Sequence, residues 1–183
     1  GHWSIPAGYS DVDPLPIGGY AWCSGLLITW LHEYNQHARD PRVDEVILNA
    51  AEWLVREEYM PDSKGFRSCS CDTFNDRTRP GHSAWSVADA MAIAYELSGD
   101  EHYLDLAQMT FGYYAQSAGT MGKSYSQSII TSSHLIARLH AAGRDDIDTA
   151  RWEEPLEALV PRMVLPGQEM LVLLRARGDE PVT

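Results

Sequence analysis

The chain has 183 residues, 44% of them hydrophobic and 22% charged, with a formal net charge of −12. That length and apolar share suit one domain with a core and exclude a disordered chain. The acidic balance excludes nucleic acid and anionic lipid as expected partners, because phosphate is gripped with Lys and Arg. No stretch reaches the roughly 20 uninterrupted apolar residues of a membrane span, and no basic-plus-apolar signal segment is visible. The chain opens on Gly1-His2 rather than Met, as a cleaved tag would leave it, so the compartment is not legible.

Residues 1–19 hold Pro6, Pro14 and Pro16 and read as an extended arm. Helical periodicity starts near Trp22, with Leu26, Leu27, Trp30, Leu31 and Tyr34 on one face, expected to be the core face. Asp40-Pro41 stops that helix and caps the next. The second helix runs from about Arg42 to Glu58, with Val43, Val46, Ile47, Ala50 and Leu54 inward and Asp44, Glu45, Glu52 and Arg56 outward. A polar loop from Pro61 to Pro80 follows; twenty residues exceed a usual connection, and such loops are often functional.

The third helix lies within GHSAWSVADAMAIAYELSGD, residues 81–100, and carries one charge, Asp89, before Glu96. A helix apolar all round must be buried on all sides. Tyr103, Ala107, Thr110, Phe111 and Tyr114 make the stripe of a fourth helix, and a fifth spans about Tyr125 to Ala142. Trp152, Leu156, Leu159 and Val160 suggest a sixth, and the late run MLVLLRAR reads as a strand or a last helical turn. The expected organisation is an arm over 1–19, a helical-hairpin domain over 20–162 and a tail over 163–183.

An internal repeat runs through these elements. NQHARDPRVDEVILNAAEWL stands sixty residues before ELSGDEHYLDLAQMTFGYY, with Asp40 over Asp100 and Val43 over Tyr103, and ARLHAAGRDDIDTARWEEPL is a weaker third copy. Three hairpins, each a more apolar helix followed by a more amphipathic one, predict an all-α fold. The apolar helices face a crowded interior and neighbouring hairpins surround the third helix.

The stretches Gly19–Leu31, Asp40–Leu54, Gly65-Phe66 and Tyr95–Ala107 resemble the six-hairpin α/α toroids of glycoside hydrolases and polysaccharide lyases. The resemblance covers residues 18–160 and implies a partial toroid, since a full ring has six hairpins and about three are present here. A longer protein or a second chain would complete the ring, so self-association is expected of its open flanks. The oligo- or polysaccharide handling it implies needs carboxylates and aromatic faces where the loops leading into the inner helices converge. These loops, Asp11–Trp22, Arg67–Trp85 and Gly119–Tyr125, offer Asp11, Asp13, Trp22, Asp72, Asp76, Arg77, Arg79, His82, Trp85, Lys123 and Tyr125.

Asp72 and Asp76 are the carboxylate pair that glycoside hydrolysis requires. A lyase would use His82 or Tyr125 as base, with Arg79 neutralising a uronate. Trp22 and Trp85 are candidate sugar platforms and Asp13 a hydroxyl ligand, whereas an Asp in a polar loop also serves as a turn former. No cofactor is required. The alternative is zinc on Cys23, Cys69, Cys71 and His82, donors suited to tetrahedral coordination. WCSG followed by a later Cys is similar to lanthionine cyclase-like toroids, which bind zinc through two Cys and a His. Here Ser70, not His, follows Cys69, and the spacing is Cys-x-Cys. A helical-repeat scaffold that binds protein without catalysis is the remaining rival. His32, His134 and His140 read as core or surface histidines, and Trp30, Trp53 and Tyr114 as packing. GTMGKS lacks the glycine spacing of a phosphate loop.

Overall fold

The computed structural model describes residues 3–6, 17–70, 85–115, 122–145, 156–159 and 173–176. Among them the chain is mostly helical. The helices are α1 (Ala21–Ala38), α2 (Pro41–Trp53), α3 (Trp85–Ser98), α4 (Glu101–Ala115) and α5 (Gly122–Ala141). Three short antiparallel pairs accompany them: β1 (Ser4–Pro6) with β2 (Ile17–Gly19), β3 (Tyr59–Met60) with β4 (Gly65–Phe66), and β5 (Leu156–Leu159) with β6 (Leu173–Ala176). The chain divides into two compact units, Gly1–Asp148 with all five helices and Thr149–Thr183 with the last hairpin.

The turns that follow α1 and α3 are built alike. Arg39 and Gly99, at matching places, both take the left-handed conformation, with φ of 52° and 72°. Their amides close α1 and α3 onto the carbonyls of Asn35 and Tyr95 at 2.9 and 2.8 Å. The next residue is then the cap of the following helix. Asp40 Oδ1 accepts from the Arg42 amide at 3.0 Å and Asp100 Oδ1 from the His102 amide at 2.9 Å, satisfying amides that no helical carbonyl reaches. Gly143, φ 73°, also ends α5 in the left-handed conformation, its amide donating to the His140 carbonyl at 3.0 Å and the Arg144 amide to the Leu139 carbonyl at 2.8 Å.

α3 is the centre of the first unit and packs against α1, α2, α4 and α5. Every residue from Trp85 to Ala94 is buried, so the helix without a wet side is hemmed in by other helices. Small residues let α1 approach it closely. A Cβ on Gly25 would stand 2.7 Å from the carbonyl carbon of Ser86.

Two expectations are corrected. The buried face of α1 is Ala21, Ser24, Gly25, Ile28, Thr29, His32 and Asn35; of the Leu26–Tyr34 stripe, Leu26 and Leu31 pack partly buried against the core at its margin. Trp30 and Tyr34 are exposed, at 57% and 61%. The small and polar face wins because its neighbour is the backbone of α3 and its buried Asp89, which need close approach and a hydroxyl partner. The sixth helix is also absent at Leu156–Leu159, which forms β5. Pro155 and Pro161 leave five residues between them, too few for a stable helix interrupted at both ends. Trp152 and Val160 lie outside the described residues. MLVLLRAR does contain a strand, β6.

The second helix also ends differently. After Trp53 the chain widens into a π-helical turn, Leu54–Glu58, and then folds back as β3 and β4. Ile47, Ala50 and Leu54 are buried as expected, whereas Val46 is 46% exposed. On α4, Ala107, Thr110 and Tyr114 are buried. Trp53 and Tyr114 are core packing as expected, and Trp30 is not.

Candidate functional site

The segments that lead into α1 and α3 are joined. The Gly19 amide donates to Ser70 Oγ at 2.8 Å, and the Gly19 carbonyl accepts from the Ser70 amide at 2.9 Å. The Ala21 amide reaches the Ser68 carbonyl at 3.2 Å, and Tyr20 faces Cys69 in an antiparallel bridge. From the start of α3, Ser86 Oγ donates to the Trp22 carbonyl at 2.8 Å. The first turn of α1 thus lies between the root of the long polar loop and the first turn of α3.

The side chains here are aromatic and sulfur-bearing. Tyr20 and Trp22 meet edge to face with ring centroids 6.5 Å apart, a preferred aromatic geometry. Trp22 is half-buried, while Trp85 is 9% exposed and sits in the core. Cys23, in the first turn of α1, and buried Cys69 are not joined in a disulfide. Burial first, and Cys69 second, push the Cys23 thiol above its ordinary range, so it is a thiol rather than a thiolate at neutral pH.

Asp11, Asp13, Asp72, Asp76, Arg77, Arg79, His82 and Cys71 lie outside the described residues. Tyr125 and Lys123 fall in the first turn of α5, where the helix backbone alone is described. The structure brings Trp22, Cys23, Cys69 and Trp85 to one end of the helices. Of the zinc donors it places Cys23 and Cys69, two of the four that a closed site needs. No group of three or more His, Cys, Asp or Glu side chains suited to a metal occurs among the described residues.

The strongest polar constellation was not among the sequence candidates. Asp89 is fully buried in α3 and accepts from Thr29 Oγ1 of α1 at 2.8 Å and from Arg138 Nη1 of α5 at 2.8 Å. Arg138 Nε also donates to Glu96 at 3.0 Å, and its Nη2 stands 3.7 Å from Glu33 of α1. One guanidinium therefore serves three carboxylates from two helices. His32 Nε2 lies 3.6 Å from Glu96, and His134 Nδ1 lies 3.6 Å from Glu33.

Burial pushes the Asp89 carboxyl up, while Arg138 and then Thr29 pull it back. Burial also pulls Arg138 down, but its carboxylates outweigh that and keep it above its ordinary value. Burial, then Arg138, lower His32, leaving a neutral ring. Asp89 has no exposed surface, so this group ties α1, α3 and α5 together rather than meeting a substrate. His32 is a core histidine, at 7% exposure.

Comparison with family models, with curated proteins and with solved structures finds no match to this chain. Among the described residues no helix is long and apolar enough to cross a membrane.

Proposed function

We propose that the helices are successive hairpins of an α/α toroid and that the chain is part of a carbohydrate-active protein, a glycoside hydrolase or polysaccharide lyase. The observation that supports it most is the pairing of Gly19–Ala21 with Ser68–Ser70 beside the Ser86–Trp22 bond, because it gathers two inner-helix starts at one end. Thr29 and Asp89, sixty positions apart, touch, as matching residues of adjacent repeats would. Tyr20 and Trp22 supply aromatic surface there for the C–H faces of a sugar.

In a hydrolase, Asp72 and Asp76 flank the glycosidic bond, one protonating the leaving oxygen and the other acting as base or nucleophile. In a lyase, His82 or Tyr125 removes the proton beside a uronate carboxylate neutralised by Arg79, and the leaving group departs by elimination. Incubation with a glycan panel should raise the melting temperature and quench Trp fluorescence for one glycan class. Ultraviolet absorbance from an unsaturated product identifies a lyase, and new reducing ends without it a hydrolase. Asp76→Asn and His82→Ala, made separately, should include at least one loss of about 100-fold or more in turnover. Unchanged activity in both removes these assignments, and stabilisation by no glycan removes the reading.

Trp30 and Tyr34, one turn apart on α1, and Val46 on α2 are large exposed apolar residues. Such surface supports the proposed self-association. Light scattering should show mass rising with concentration, and Trp30→Ala with Tyr34→Ala should return it to the monomer. A wild-type monomer at high concentration contradicts this.

A further inference from the structure

Glu58 closes the π-helical turn after α2, and no part of it is exposed. Neither carboxyl oxygen has a well-aligned hydrogen-bond partner. Arg67 pairs with it from one side, its Nε 3.2 Å from Oε2, and the same guanidinium also donates to the Glu57 carbonyl. The Arg67 amide donates to the Glu58 carbonyl at 2.8 Å, extending the β3–β4 pairing. A fully buried carboxyl held by one imperfectly aligned cation requires an explanation, and π turns are frequent at functional places. The position supplies one. Arg67 is followed directly by Ser68–Ser70, the segment paired with the start of α1.

We infer that the hairpin from Tyr59 to Arg67 is a proton-controlled latch: protonated Glu58 holds the root of the polar loop closed against α1, and ionised Glu58 favours its release. The latch does not depend on what the site binds. Among the described residues the charged groups acting on Glu58 are Arg67 and Glu57; α1, α2 and β3, which adjoin the turn, bring no other. Burial pushes its carboxyl up to about 8, against the downward pull of Arg67 and with a small upward push from Glu57.

The direction follows from linkage. Closed, Glu58 keeps its proton to about pH 8; hydrated in an opened hairpin, it would lose it near the ordinary 4.5. Between those values opening releases a proton, so each pH unit favours opening by up to about tenfold, and the effect levels off above the upper value. Stability gained by closing is complete at acid pH and declines as pH rises through this window.

Hydrogen exchange read by mass spectrometry from pH 6 to 9, corrected for intrinsic rates, tests it on the whole chain. Protection across residues 59–70 should fall by up to about tenfold per pH unit to pH 8 and then flatten, while residues 88–94 of α3 stay level. Glu58→Gln should abolish the slope. Arg67→Met should carry the fall to higher pH, which keeps the test decisive if the buried amide prevents folding. The same slope in Glu58→Gln, an unmoved plateau in Arg67→Met, or a parallel loss in α3 overturns the latch.

Discussion

Arg138→Leu should destabilise the helical unit by about 3–5 kcal/mol, read as a fall in the urea midpoint at unchanged slope. The size comes from what is left behind. Arg138 is the cation that meets Asp89, whose side chain has no exposed surface. With the guanidinium gone, Thr29 still donates its hydroxyl at 2.8 Å, but a lone hydroxyl does not compensate a buried charge. Asp89 would take up a proton or draw water between α1 and α3. Asp89→Leu in the same background should recover a large part of the loss, because a buried ion pair replaced by apolar side chains is often near neutral. The measured quantity is the coupling in a double-mutant cycle, expected above about 1 kcal/mol. Additive losses would mean that the two side chains stabilise the helices independently.

The order of helices was legible because the signals were local. Asp40 and Asp100 announce the caps of α2 and α4, and Gly99 the end of α3, each within a few residues of the structure that it makes. The apolar run from Trp85 to Ala94 announced its own burial. The face of α1 was not legible by counting large apolar residues. Ser24, Gly25 and Thr29 are buried there, chosen by the proximity of α3 sixty residues on, while Trp30 and Tyr34 face outward.

Arg138 is hidden from sequence for the same reason. Its partners lie 49 and 42 positions away, and nothing nearby distinguishes it from a solvent-facing arginine. Glu58 did leave a trace, since it continues the buried spacing Ile47, Ala50, Leu54. Its charge suggested solvent, and its burial depends on a hairpin that returns from Gly65. At the candidate site, Trp22 and Cys23 are adjacent in sequence and share the first turn of α1. The pairing of Gly19 with Ser70 is a contact across 51 positions that no local pattern encodes.

Gly25→Ala should also destabilise the unit, although alanine in a helix interior ordinarily gains about 1 kcal/mol over glycine. The added methyl would lie 2.7 Å from the Ser86 carbonyl carbon and 2.8 Å from its oxygen. Those atoms are backbone, and α3 cannot retreat easily because α2, α4 and α5 adjoin it on its other faces. Overpacking of this kind costs about 1–3 kcal/mol and would also strain the Ser86–Trp22 bond that joins the two helix starts. The expected net result is a lower melting temperature by calorimetry. Ser86 Oγ also lies 2.8 Å from the added carbon, so Ser86→Gly separates the sources of strain. If the backbone is the obstacle, Gly25→Ala remains destabilising in that background. If it becomes neutral or stabilising there, the hydroxyl was the obstacle and α1 has room to move from α3.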